Sequence, residues 1–268
     1  MAAIRDIWVR LALALALALP LYFIGAALGT KFGYFDWRVG FGQLTLQVGP
    51  LAVIGVLGFA VLGLLLALVI APRRGRRLAL AALAIPALAM GGLAMLRQQA
   101  GQVPPIHDIS TDLLDPPTFS AAVLAERAAV PGVNPVDLAT KKVPATPGRR
   151  FGAAEGRLSR ELQVEAYPDI QPIRLGAAPA DALARAEAAA RQLGWTVRGV
   201  DAESGALSAT VTSFWYGFTD DVVVRVRPGP GASGTVVDVR STSRVGVSDL
   251  GANAKRVRAF RDALQNSE

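Results

Sequence analysis

The sequence predicts three transmembrane helices at the N-terminus, followed by a soluble α+β domain. Three segments without a charged residue lie in the first hundred residues, at about 11–30, 48–71 and 78–96. A helix needs about 20 apolar residues to cross a bilayer core of about 30 Å, and all three segments reach about this length. The chain after Arg97 has the composition of an ordinary globular protein. We therefore divide the chain into a transmembrane region, 1–100, and a soluble domain, 101–268.

The net charge of +7 is carried by the transmembrane region. Residues 1–100 contain nine Lys or Arg against two Asp, whereas residues 101–268 contain nineteen basic and nineteen acidic side chains. Basic residues beside apolar spans are typical of the positive-inside pattern of membrane proteins. The charge thus indicates a lipid bilayer as a partner and argues against nucleic acid.

Four arginines in the short segment 73–77 predict the orientation of the chain, because a loop with this charge is costly to translocate. With this loop in the cytoplasm, the N-terminus is also cytoplasmic and the loop 31–38 lies outside. The soluble domain is then periplasmic or extracellular, on the outer side of a bacterial inner (plasma) membrane. We interpret the first apolar run as an uncleaved anchor, because two further spans follow it.

The soluble domain is predicted to contain a four-stranded antiparallel sheet with two main helices on one face. Apolar residues at spacings of three and four predict helices over 179–194 and 250–264. Alternating segments predict the strands 195–200, 206–213, 221–227 and 235–243. Many prolines interrupt 101–176, which we expect to form loops. The sheet face away from the helices is expected to be polar and uncovered.

Four segments together resemble the bacterial domain-of-unknown-function family numbered 1499. They are Ile106–Ile109, Tyr167–Ile170, Phe218–Asp221 and Asp238–Asn253, of which the last is long and specific. The resemblance covers roughly residues 104–265. It implies a membrane-anchored protein of the cell envelope and does not imply a particular reaction.

The turn from the last strand to the last helix is a candidate anion site, formed by Arg240, Ser243, Arg244, Asp249 and Asn253. A helix N-terminus offers unpaired amide donors, and arginines add charge-assisted hydrogen bonds to a phosphate or lipid headgroup. The alternative is structural. In that case Asp249 caps the helix and pairs with Arg244, while the serine and asparagine satisfy the backbone of the turn.

Catalytic candidates are few. The chain has no cysteine and one histidine, His107, which excludes thiol chemistry and any site with two imidazoles. His107 and Asp221 remain as weak candidates for an acid–base group. Asp221 follows Asp220 on a strand, so the two carboxylates should point to opposite faces and pair with Arg240 or Arg244. No motif indicates a cofactor or a metal site.

These observations favour a binding or structural module of the cell envelope over an enzyme. Its partner would be an envelope protein, a lipid headgroup or another anionic ligand. The alternative is a thiol-independent periplasmic enzyme that acts on an anionic substrate, with His107 or Asp221 as the acid–base group.

Overall fold

The computed structural model describes residues 1–145, 151–232 and 234–266. The chain forms two compact units. The first consists of Met1–Gln99 with Ser213–Gly217, and the second of Ala100–Thr212 with Phe218–Glu268.

The first unit contains three long apolar helices. Helix α1 is Ala2–Lys31, α2 is Gly49–Val69 and follows a π-helical stretch, Arg38–Val48, and α3 is Arg76–Gln102. Each span is long and apolar enough to cross a membrane by length and composition. The three predicted apolar helices are thus confirmed. Helices α1 and α3 extend beyond their charge-free segments, because polar residues at a helix end can reach water while the backbone remains helical, whereas α2 lies within 48–71.

Small side chains and one aromatic pair bring α1 against α2. Ala12, Ala16 and Ala60 are fully buried in one cluster. The indole of Trp8 stacks on the ring of Phe59 with a centroid distance of 4.2 Å, and its Nε1 donates a hydrogen bond to the Phe59 carbonyl at 3.1 Å. Helices packed through small residues approach closely, which increases the van der Waals contact between them. This contact matters in a bilayer, because lipid tails are as apolar as the helices and the hydrophobic effect does not drive the helices together.

Arg5 ties the start of α1 to the connection between α2 and α3. Its guanidinium is buried, pairs with Asp6 at 2.7 Å and donates to the carbonyls of Ile70, at 3.1 Å, and Pro72. The beginning of α1 and the arginine-rich segment 73–77 therefore lie at the same end of the helical unit.

Aromatic residues of Ser213–Gly217 pack within the first unit. The Tyr216 hydroxyl lies 2.8 Å from Oγ1 of Thr45, and its ring meets that of Phe41 edge-on at 5.0 Å. Lys31 donates from Nζ to the Phe214 carbonyl at 2.8 Å. This turn is thus held by both polar and aromatic contacts with residues of the helical unit.

The second unit contains a six-stranded antiparallel sheet. The hydrogen-bonded order is β1-β6-β5-β4-β3, and β2 also pairs with β6. The strands are β1 Asp108–Ser110, β2 Ile173–Leu175, β3 Thr196–Asp201, β4 Ala206–Thr212, β5 Thr219–Pro228 and β6 Thr235–Ser243.

The prediction of four strands is corrected to six. The predicted four correspond to β3–β6, which form a meander. Strands β1 and β2 have three residues each, too few for an alternating pattern to identify a strand. The ladder between β3 and β4 shifts register between Val197 and Gly199, so the outermost strand β3 carries a bulge.

Two helices pack on one face of this sheet, α6 Pro179–Gln192 and α7 Ala252–Gln265. Their apolar side chains enclose the inward residues of β4, β5 and β6, among them Leu207, Val224 and Val239. The ring of Phe260 on α7 is fully buried and stacks on Trp195 at 5.1 Å. Gly194 follows α6 with φ of +75°, a conformation that lets glycine end a helix.

The opposite face of the sheet is covered at β5 and β6, contrary to the expectation of an uncovered polar face, while β3 remains largely exposed. Val223 of β5 packs there against Phe119 and Val123, and all nine residues of β6 are buried. The proline-rich region, expected to form only loops, also contains the strands β1 and β2 and the helices α4, Ala121–Ala128, and α5, Ser159–Ala166. Both helices have eight residues, so their apolar periodicity is too brief to be read between prolines.

We predict that Phe260→Ala lowers the free energy of unfolding by about 3–5 kcal/mol, because it removes a buried ring and leaves a cavity. Urea denaturation of the full-length protein in a non-ionic detergent, followed by circular dichroism of the sheet, measures this effect. Val164→Ala is the control, because Val164 is 55% exposed and should change the free energy by less than about 0.5 kcal/mol. Equal effects of the two substitutions would contradict this packing.

Candidate functional site

Arg240 is buried in the second unit, and its side chain contacts other residues of that unit. It forms a salt bridge with Asp108 at 2.7 Å, and both side chains are less than 5% exposed. The guanidinium also donates to the carbonyls of Pro117, at 3.3 Å, and Val136, at 2.8 Å, and its Cζ lies 5.3 Å from the centre of the Phe119 ring. Arg240 therefore links β6 and β1 to the segment that covers the sheet.

Asp221 is fully buried between two arginines. Arg127 of α4 donates to its carboxylate at 2.6 Å and Arg244 at 2.7 Å. Arg244 also pairs with Glu126 at 3.2 Å, and its pKa is raised above the ordinary value, mainly by the hydrogen bond to Asp221. The pairing of Asp221 with an arginine is the one that strand alternation predicted.

A third cluster surrounds Asp238 of β6, which is also fully buried. Its Oδ2 accepts from Arg225 at 3.1 Å and from Arg227 at 2.9 Å. Arg227 also pairs with Asp112 at 2.8 Å. We refer to the ion pairs around Asp108, Asp221 and Asp238 as the charge network.

The turn before α7 is organised by Asn253. Its side-chain amide donates to the His107 carbonyl and to Ser243 Oγ, both at 3.0 Å, and its Oδ1 accepts from Ser241 at 2.6 Å. Asp249 accepts from the backbone amides of Gly251, at 2.7 Å, and Asn253, at 2.9 Å. Burial raises the pKa of Asp249, while these amides stabilise its charged form.

The structure does not gather the five candidate anion-binding residues into one pocket. Ser243, Asp249 and Asn253 meet at the start of α7, on the helix-covered face of the sheet. Arg240 and Arg244 project from the other face, where they belong to the charge network. Asp249 does not contact Arg244, whose carboxylate partners are Asp221 and Glu126.

His107 is 4% exposed and forms a pair with Lys141 that no sequence motif indicates. Its Nδ1 lies 3.1 Å from the Val247 carbonyl, and its Nε2 lies 2.7 Å from Lys141 Nζ. This geometry fits a neutral imidazole that donates from Nδ1 and accepts from the lysine. Burial and then the Lys141 charge lower the pKa of His107 to about 4, and burial lowers the pKa of Lys141 to about 8.

Within residues 1–145, 151–232 and 234–266, no group of three His, Cys, Asp or Glu side chains is placed to hold a metal ion. In the charge network, Asp108, Asp221 and Asp238 are each paired with at least one arginine.

The three apolar helices and the sheet domain define a membrane-associated protein with an α+β domain. A family model described as protein of unknown function (DUF1499) matches residues 108–264, more than half of the chain. The chain belongs to this family, as its sequence motifs indicated. The match begins at β1 and ends within α7, so it contains all six strands. No match to a curated protein was found.

We predict that Asp221→Asn destabilises the protein by about 3–5 kcal/mol, because it leaves two largely buried arginines without their shared carboxylate. Urea denaturation in detergent measures the loss. Asp262→Asn is the matched control, because Asp262 is 59% exposed and pairs only with its neighbour Arg261. It should cost less than about 1 kcal/mol. Equal unfolding midpoints would show that the Asp221 pairs do not stabilise the domain.

We also predict that His107 makes stability fall as the pH is lowered from about 6.5 to about 4. In this window the unfolded histidine, with its ordinary pKa of 6.5, binds a proton that the folded one, with a pKa of about 4, does not. The free energy of unfolding should lose up to about 3 kcal/mol from this residue. His107→Gln should therefore show a shallower dependence on pH.

Urea denaturation at several pH values between 4 and 7 compares the two slopes. A substitution that changes the free energy of unfolding equally at every pH does not change the slope, and the carboxylates contribute equally to the slopes of both proteins. The difference between the two slopes therefore reports the protonation of His107. Parallel slopes in the two proteins would contradict a neutral, buried His107.

Proposed function

We propose that this protein is a multi-pass protein of the bacterial inner membrane that presents its C-terminal domain outside the cytoplasm. There the domain acts as a binding or structural module of the cell envelope. The observation that carries the proposal is the concentration of arginines at one end of the helical unit.

The contacts of Arg5 support this orientation. They bring the start of α1 next to the connection between α2 and α3, so Arg5 and Arg10 share one end with the four arginines of 73–77. The other end carries fewer basic residues: Lys31, Arg38 and Arg97, with one acidic residue, Asp36. Basic loops remain in the cytoplasm, and α3 begins at the basic end. The chain that follows α3 therefore emerges on the outer side.

A binding role fits the chemistry of the domain better than catalysis. The charge network engages its arginines with carboxylates, an arrangement that stabilises a covered sheet face. We propose that Ser243, Asp249 and Asn253 hold the turn before α7 in place, that Arg240 and Arg244 stabilise the opposite face of the sheet, and that a ligand binds elsewhere on the domain.

A second candidate is a thiol-independent enzyme that acts on an anionic substrate. The pair of His107 and Lys141 favours it, because a neutral imidazole beside an amine with a pKa of about 8 can exchange protons near neutral pH. This function requires that His107→Gln abolish turnover while the protein remains folded. A binding module would keep its affinity for partners that do not contact this pair.

Reporter fusions test the topology. Alkaline phosphatase, which is active only outside the cytoplasm, and green fluorescent protein, which fluoresces only inside, are fused after Gly75, after Gln102 and after the last residue. We expect fluorescence after Gly75 and phosphatase activity after the two later positions. Fluorescence at all three positions would overturn the proposed orientation.

A variant that lacks the positive charges of segment 73–77 gives a second test of the topology. Changing the four arginines of 73–77 to alanine should reduce phosphatase activity of the fusion after Gln102, because it removes the signal that retains this loop in the cytoplasm. In the fusion after the last residue, changing Arg157, Arg174, Arg191 and Arg198 to alanine removes the same charge and should leave the phosphatase activity unchanged, whereas the alanine variant of 73–77 should lose activity in that fusion as well.

A further inference from the structure

A small cavity of about 70 Å³ opens beside the His107–Lys141 pair in the soluble domain. Its lining includes His107, Lys141, Lys142 and Ser159, and no carboxylate. Two basic side chains therefore face a space that lacks a negative charge.

Lys141 is a partly buried cation, and the hydrogen-bond partner of its ammonium among the described residues is the neutral His107. No salt bridge joins it to a carboxylate of the described residues, in contrast to the arginines of the charge network. The two carboxylates that attract it most are engaged elsewhere: Asp108 pairs with Arg240, and Asp137 accepts from Thr140. A partly buried ammonium without a counter-ion is unfavourable, and an anion in the cavity would relieve this cost.

Ser159 supplies the second, independent observation. It is 4% exposed and lines the cavity. No hydrogen bond between the described residues uses its Oγ, and this oxygen is not among the buried atoms cut off from solvent without a partner, so it reaches the cavity space. Its hydroxyl is therefore available to donate to a ligand.

We propose that this cavity binds a single phosphate group, held by the Lys141 ammonium, the Ser159 hydroxyl and the charge of Lys142. The cavity, of about 70 Å³, has room for a small group. A phosphate group offers three acceptor oxygens, which matches the three donors. The group belongs to a lipid headgroup or to a free phosphate ester, and the chemistry of the site is the same for both.

His107 acts as a positioning residue in this site. Its Nδ1 contact with the Val247 carbonyl fixes the ring, and its Nε2 holds the lysine nitrogen at 2.7 Å. Since its pKa is about 4, the imidazole is neutral at pH 7 and adds no charge. Arg127 lowers the pKa of Lys141 through its positive charge, whereas a bound phosphate would raise it.

This site deepens the binding role proposed above and rests on it. Its test is independent of the topology, because protein in detergent has no inside or outside. The reporter fusions and the phosphate titration can therefore fail separately.

The first measurement is the thermal unfolding midpoint of the full-length protein in maltoside detergent, titrated with inorganic phosphate at constant ionic strength. At ten times the dissociation constant we expect a saturable rise of about 4 °C. Lys141→Met and Ser159→Ala should lose most of this rise. Lys255→Met is the matched control, because it removes one lysine from an exposed position on α7 and should keep the rise.

The second measurement avoids any folding defect, because it uses the unaltered protein. Reductive methylation of lysines is followed by mass spectrometry with and without phosphate. We expect phosphate to slow the modification of Lys141 several-fold and to leave Lys255 unchanged. The proposal is overturned if phosphate does not protect Lys141, or if it stabilises the Lys141→Met protein as much as the unaltered one.

A third arm distinguishes the source of the phosphate group. The protein is placed in nanodiscs of phosphatidylcholine with or without phosphatidic acid, and the methylation is repeated. If the ligand is a lipid headgroup, phosphatidic acid protects Lys141. If it is a free phosphate ester, only soluble phosphate does so. Protection by neither overturns the site.

Discussion

The fold of the soluble domain depends on the need to compensate three buried carboxylates. Asp108, Asp221 and Asp238 lie in the sheet with at most 1% exposure. Transfer of a charge from water into a protein interior costs several kcal/mol even after relaxation, so each carboxylate requires a cation with good geometry. The arginines meet this need, and most of them lie on the strands β5 and β6.

Arg244 directly follows β6, whereas Arg127 comes from α4 and contacts Asp221 from the covering segment. Its placement, with the backbone carbonyls of Pro117 and Val136 that accept from Arg240, fixes the segment that covers the polar face. A region rich in proline, with only short helices, thereby gains a defined position. Ion pairs hold the covering segment on this face of the sheet, whereas apolar packing holds α6 and α7 on the other face.

The sequence predicts the elements that are long and periodic. The three apolar helices, the strands β3–β6 and the helices α6 and α7 follow from runs of residues that are long enough to show a period. Strands β1 and β2 do not, since three residues carry no period, and they exist because β6 offers them an edge. The cover over the polar face was missed for a related reason: its position depends on ion pairs between residues far apart in the chain.

The candidate site was predictable only in part. Asp221 was expected to pair with Arg240 or Arg244, and of these two Arg244, which directly follows β6, is its partner. Grouping Arg240 with Ser243 relied on proximity along the chain, although odd and even positions of a strand project to opposite faces. The pair of His107 and Lys141 has no local pattern, and the two residues meet only because β1 and the segment after α4 fold together.

The bulge in β3 has a consequence for copies that share a membrane. An outermost strand has unpaired backbone groups and can add a strand from another molecule, and proteins confined to a bilayer meet one another often. The register shift between Val197 and Gly199 twists this strand, and Arg198, which pairs with Glu126, places a charge beside it. These features make the edge of β3 a poor template for the addition of a strand from another copy.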